Sequence, residues 1–128
     1  MCPVRARLIA TVLASLALAG CSGDRDTDDG RKIEAVIERF ALADGPAACD
    51  LLTAKAVTTV YRSRSACVAK AAAFSGEAVD VTFVKISSDT GAHATAKTPD
   101  GRRYWSVGLQ KQRGRWLIDS VTRAQRPD

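Results

Sequence analysis

The sequence predicts an α+β fold in which N-terminal helices pack on a curved antiparallel meander of four strands. Three observations predict it. Apolar residues recur with helical spacing from Ile33, in three segments that reach about residue 74. From Ala78 the pattern changes to alternation. Turn signals then fall at intervals: residues 87–91, Asp100-Gly101 and Arg113-Gly114.

The chain has 128 residues and a formal net charge of +5. Residues 1–20 read as an export signal. Arg5 and Arg7 form its positive start, and residues 8–18 (LIATVLASLAL) form its apolar part, too short for a spanning helix of ~20 residues. An uncleaved membrane anchor is the rival reading, and both that length and the Gly20-Cys21 junction count against it. Leu18-Ala19-Gly20-Cys21 resembles the lipobox of bacterial lipoproteins. The resemblance implies cleavage before Cys21, a diacylglycerol on its sulfur, and a place on the extracytoplasmic face of the cell membrane. Two acyl chains make a stable anchor where one gives only reversible attachment. Cys2, Arg5 and Arg7 leave with the signal, and the mature chain then carries +3.

Residues 22–30 (SGDRDTDDG) hold no large apolar side chain, which predicts that 21–30 is the lipidated cysteine followed by a solvated acidic tether. Its four aspartates would be repelled by an anionic membrane. The domain proper is expected over 31–123, with 124–128 a polar tail. A domain of under a hundred residues buries only ~60–65 % of its extended-chain surface, so its stability is marginal.

Ile33, Val36, Ile37, Phe40 and Ala41 form one apolar stripe, with Asp28 or Asp29 as cap. Asp44-Gly45-Pro46 ends that helix and starts a second, expected from Ala47 to about Tyr61. Ser63 or Ser65 caps a third, from Ala66 to Phe74, which stops at Ser75-Gly76.

Strands are expected at 78–86, 92–98, 103–111 and 115–122. A two-residue type I′ loop at Asp100-Gly101 sets Ala96 against Trp105 and Ala94 against Val107. A similar loop at Arg113-Gly114 sets Leu109 against Ile118 and Lys111 against Trp116. One face then collects Ala94, Ala96, Trp105, Val107, Leu109, Trp116 and Ile118. The first strand has two possible inward sets: Val79, Val81 and Phe83, or Val84 and Ile86. Ala94, Ala96, Trp105, Val107 and Trp116 are the candidate pocket for a lipid or hydrophobic metabolite, because tryptophans beside small alanines can leave apolar space. The alternative is that they fill the core, as aromatics do in small domains.

Helices followed by a meander, Ala48-Cys49-Asp50-Leu51-Leu52 followed by Cys67, and the closing GRWLIDSV of residues 114–121 together resemble the nuclear transport factor 2-like family, a cone-shaped cystatin-like fold. The resemblance covers roughly 31–123 and is to small exported actinobacterial members. It implies either a domain without chemistry or a small enzyme of the polyketide-cyclase or isomerase type acting on a hydrophobic small molecule. It also makes a homodimer through the outer sheet face an option.

Cys49 and Cys67 lie 18 positions apart on consecutive helical segments. In an exported chain such a pair is expected as a disulfide. The alternatives are a metal site and a catalytic thiol. Zinc wants four ligands and the chain has one histidine, His93, while a nucleophilic cysteine needs a histidine beside it. The register turns His93 and Asp119 away from the apolar face, and the chain has no Gly-x-Ser-x-Gly elbow. No catalytic residue, metal or cofactor is therefore assigned. The expected role is a non-catalytic binding or assembly module on a lipid anchor, with an envelope protein or a hydrophobic ligand as partner. Nucleic acid is not expected, because the basic residues fall at opposite ends of the sheet: Lys111, Arg113 and Arg115 at one, Arg102, Arg103 and Arg123 at the other.

Overall fold

The computed structural model describes residues 23–71 and 77–124. In chain order it holds helices α1 (Asp28–Leu42), α2 (Gly45–Cys49), α3 (Ala54–Tyr61) and α4 (Arg64–Lys70), then strands β1 (Asp80–Ile86), β2 (Gly91–Lys97), β3 (Tyr104–Gln112) and β4 (Arg115–Ala124). The strands form one antiparallel sheet in the order β1-β2-β3-β4, so the chain is mixed α+β. Ile33, Ile37 and Phe40 of α1 are buried in one core with Val84, Ala94, Val107 and Ile118 of the sheet.

The segment expected to be a tether is docked. Thr27, not Asp28 or Asp29, caps α1: its hydroxyl oxygen accepts the Gly30 N–H at 3.0 Å. The two aspartates occupy the first turn, where carboxylates favour the helix dipole. Gly23 forms a parallel bridge with Val84, and the Asp24 N–H donates to the Val84 carbonyl at 2.7 Å. The Asp24 carboxylate accepts the Ile86 N–H, also at 2.7 Å. Gly23 has φ +67° and a Cβ there would meet the Val84 carbonyl at 2.1 Å, so only glycine fits this approach. Arg25 pairs with Glu34 at 3.2 Å. Over residues 23–30 an acidic composition has produced sheet-edge and helix-cap acceptors instead of free solvation.

The long second helix is also corrected. α2 stops at Cys49, and Leu51–Thr53 leaves helical geometry to bridge the outer edge of β4. The Ile118 N–H donates to the Leu51 carbonyl at 2.8 Å and the Thr53 N–H to the Ile118 carbonyl at 2.9 Å. The Thr53 hydroxyl oxygen then caps α3, accepting the Ala56 N–H at 3.1 Å. Ser63 caps α4 in the same way. The Ser75-Gly76 stop, with Phe74, lies outside the described residues.

In the sheet, Ala96 faces Trp105, Ala94 faces Val107, Leu109 faces Ile118 and Lys111 faces Trp116. The two turns that set this register differ. Arg113 (φ +51°) and Gly114 (φ +76°) both take positive φ, the two-residue type I′ condition. Asp100 does not, because Pro99 takes the first central position of a turn in which the Gly101 N–H donates to the Thr98 carbonyl at 2.8 Å. The loop there spans residues 99–102, not two. The Thr98 hydroxyl donates to the Asp100 carboxylate at 2.6 Å and the Arg102 N–H donates to it at 3.0 Å, and these two bonds, in that order, hold its pKa below the ordinary aspartate value.

β1 takes its inward residues from both of its possible sets, leaving out Phe83. A bulge between Val81 and Phe83 changes the parity, so Val79, Val81 and Val84 are all buried and Ile86 packs on the core. Phe83 is turned to the outer face, opposite Thr95.

Candidate functional site

Ala94, Ala96 and Val107 are fully buried, and Trp105 and Trp116 nearly so. All five belong to the buried core. Trp116 also borders a hollow. Its indole N–H donates to the Asp29 carboxylate at 3.2 Å, and the Lys111 ammonium sits 5.7 Å from its ring and 3.5 Å from the same carboxylate. The indole bond first, with Lys111 and Lys32 adding to it, holds the Asp29 pKa below the ordinary aspartate value. The start of α1 thereby fixes the ring that opens the last strand.

The hollow is a groove of about 260 Å³ between α1 and the β3–β4 hairpin. Lys32, Val36 and Arg39 lie along one side of α1 at positions i, i+4 and i+7, next to the buried stripe. Arg115 and Trp116 form the opposite wall, and Leu51 contributes from the connector to α3. The lining residues include three cations and no carboxylate. Among the described residues Arg39 and Arg115 make no ion pair. Two further hollows, at the turn after β2 and beside the turn after β1, are lined by turn and flanking residues of both charges, Asp100 with Lys97 and Arg102 in the first, Asp29 and Asp89 with Lys111 in the second. The α1–hairpin groove combines apolar walls with one sign of charge. That suits an anion carrying an apolar body.

The basic clusters expected at the two ends of the sheet are partly neutralised. Arg103 pairs with Glu77 and lies over the Trp105 ring at 5.9 Å, while Lys111 is held by Asp29. Lys32 and Arg39 belong to the groove although neither was in those clusters. The signal that could have found them is their i, i+7 spacing beside Val36.

The outer face carries a contact the sequence reading missed. The Ser106 hydroxyl and His93 Nε2 are 2.9 Å apart, on strands whose register sets Thr95 against Ser106 and His93 against Gly108. No carboxylate bonds the imidazole among the described residues, and the pair lies on the exposed face of a sheet whose backbone donors serve the ladder. An activated serine needs a base oriented by a third group. This contact has two of those three parts.

Asp119 is not turned away from the helices. It is the extra residue of a second bulge, where Gly108 pairs with Ser120 and Leu109 with Ile118. Its carboxylate accepts the buried Thr53 hydroxyl at 2.9 Å and pairs with Lys55 at 3.5 Å. Cys49 and Cys67 are joined by a disulfide with Cα atoms 6.1 Å apart, tying α2 to α4 inside the core. Cys21 and the residues before it lie outside the described residues. Among the described residues no helix is long and apolar enough to cross a membrane, and no three His, Cys, Asp or Glu side chains are grouped to hold a metal ion.

Compared with family models, curated proteins and solved structures, the chain finds no match.

Proposed function

We propose that this protein is a lipoprotein of the bacterial envelope, anchored through Cys21 on the extracytoplasmic face, whose domain is a non-catalytic binding module with the α1–hairpin groove as its binding face. The lipobox-like Leu18-Ala19-Gly20-Cys21 and the Cys49–Cys67 disulfide support the anchor and the oxidising compartment. Four helices ahead of an antiparallel meander, all on one core, are compatible with the nuclear transport factor 2-like cone.

The observation that carries the binding role is the groove lined by Lys32, Arg39 and Arg115 with Val36, Leu51 and Trp116 beside them. Its ligand is an anionic amphiphile: the head is held by the guanidinium groups, and the first methylenes lie against Trp116 and Val36. A volume of about 260 Å³ is below the ~300–1,000 Å³ of drug-sized pockets, so the groove takes a headgroup with a short apolar portion and not a whole lipid.

The test uses the indole N–H resonance of Trp116. Adding short-chain phosphatidylglycerol shifts it, short-chain phosphatidylcholine shifts it much less, and Arg39→Ala with Arg115→Ala weakens the first response several-fold. Equal responses to the two lipids, or no response to either, would contradict the assignment.

A further inference from the structure

We infer that residues 23–27 mount the domain on the bilayer by its β1 edge, in one fixed orientation. The inference rests on the lipidation of Cys21 proposed above.

Gly23 and Asp24 add themselves to the open side of β1 through the Val84 bridge, the Asp24 N–H and the Asp24 carboxylate. The next residues leave no slack. The Asp24 carbonyl accepts both the Thr27 N–H at 3.0 Å and the Thr27 hydroxyl at 2.6 Å, and Thr27 caps α1. Arg25 is tied to Glu34 on that helix. The chain is thus fixed to the sheet from Gly23 onward. Two Cα steps separate Gly23 from Cys21, a reach of at most ~7 Å. A bilayer of ~40–45 Å with a ~30 Å hydrocarbon core leaves a polar layer of about 5–8 Å on each side. A sulfur whose acyl chains start at the hydrocarbon boundary therefore holds the β1 edge in or directly against the headgroups.

The opposite edge is then the far side. Four strands, with Gly23–Asp24 outside one end and Leu51–Thr53 outside the other, make five interstrand steps, about 24 Å. α3 follows Thr53 and faces away from the membrane. The groups presented near the anchor are of both signs: Lys85 is exposed on β1, and Asp26 and Asp28 are exposed beside it in sequence to Gly23. Orientation comes from covalent reach and hydrogen bonding, not from net attraction, so salt does not abolish it.

The experiment uses the full lipidated chain in vesicles of phosphatidylethanolamine and phosphatidylglycerol doped with a gadolinium-headgroup lipid, read by amide line broadening. The expected result is broadening several-fold stronger at Lys85 and Asp26 than at Thr58 and Tyr61 of α3, unchanged by high salt. Asp24→Ala lowers that contrast by releasing the edge. A flexible Gly/Ser insert of about ten residues between Ser22 and Gly23, with r.m.s. reach ~17 Å, leaves every contact of the folded domain in place and also lowers it. Uniform broadening with the diacylglycerol mass present overturns the inference alone, as does a contrast that the insert leaves unchanged. A free thiol at Cys21 overturns it together with the lipid anchor.

Discussion

At the β4 edge of the sheet, residues 51–53 bridge Ile118 in parallel. At the β1 edge, residues 23–24 bridge Val84 in the same manner. Both segments satisfy edge N–H and carbonyl groups that would otherwise invite another strand. What secures them differs. Leu51–Thr53 is held between α2, which the disulfide ties to α4, and α3, whose cap Thr53 is bonded to Asp119. Gly23–Asp24 is held by its own hydrogen bonds and by the cap of α1. One closure is covalently braced and deep. The other is polar and shallow, next to the residue proposed as the anchor. An edge closed by a leader segment transmits any pull on that leader directly to the sheet.

Four changes break or sharpen this contrast. The largest effect is expected from replacing Cys49 and Cys67 by alanine. Closing a loop of this length contributes roughly 3 kcal/mol, and denaturant unfolding should show a loss of that order. Amide exchange should quicken at Thr53 and Ile118 before it does at Ile86. Next is Thr53→Ala, which removes a helix cap and leaves the Asp119 carboxylate without its buried donor. A loss of about 1–2 kcal/mol is expected, again with exchange quickening at the β4 edge. Asp24→Ala comes third, at roughly 1 kcal/mol, with faster exchange of the Ile86 amide and none at Ile118. An equal response of both edges to any of these would remove the distinction.

The smallest effect concerns pH. Asp29 has its pKa lowered in the folded chain, chiefly by the Trp116 indole N–H. A lowered carboxylate stabilises the fold fully above its unfolded value near ~3.9, and that contribution disappears as pH falls through the folded value. Asp29→Asn should therefore flatten the acid limb of the stability profile below about pH 4 and leave its neutral-to-basic limb parallel to the parent. A change confined to alkaline pH would contradict the Trp116–Asp29 contact.

The strand register was legible from the position of the turn: a two-residue loop at Asp100-Gly101 and the observed loop over 99–102 both set Thr98 against Arg103, Ala96 against Trp105 and Ala94 against Val107. The type of turn was not, since Asp-Gly alone does not reveal that Pro99 will take the first central position. The parity of β1 was ambiguous for a physical reason. A bulge lets Val79 and Val81 face inward together with Val84 and Ile86 while Phe83 turns out, and no local pattern marks the extra residue. The break after Cys49 was hidden because Leu51 and Leu52 continue a helical pattern, although Thr53 three residues ahead of Ala56 is a cap in retrospect. The acidic leader was misread because composition reports solubility, while the partners of Asp24 and Asp29 lie 62 and 87 positions away. The groove was only half visible. Trp116 and Arg115 stood out, but Lys32 and Arg39 join them only once α1 lies beside the last hairpin.

The proposed lipid anchor, on which the functional contrast between the two edges rests, is tested most directly by intact-mass analysis of the protein extracted from its native membrane. The expected species starts at Cys21 and carries diacylglycerol on that sulfur. A species that starts at Met1, or that carries a free thiol at position 21, would contradict it.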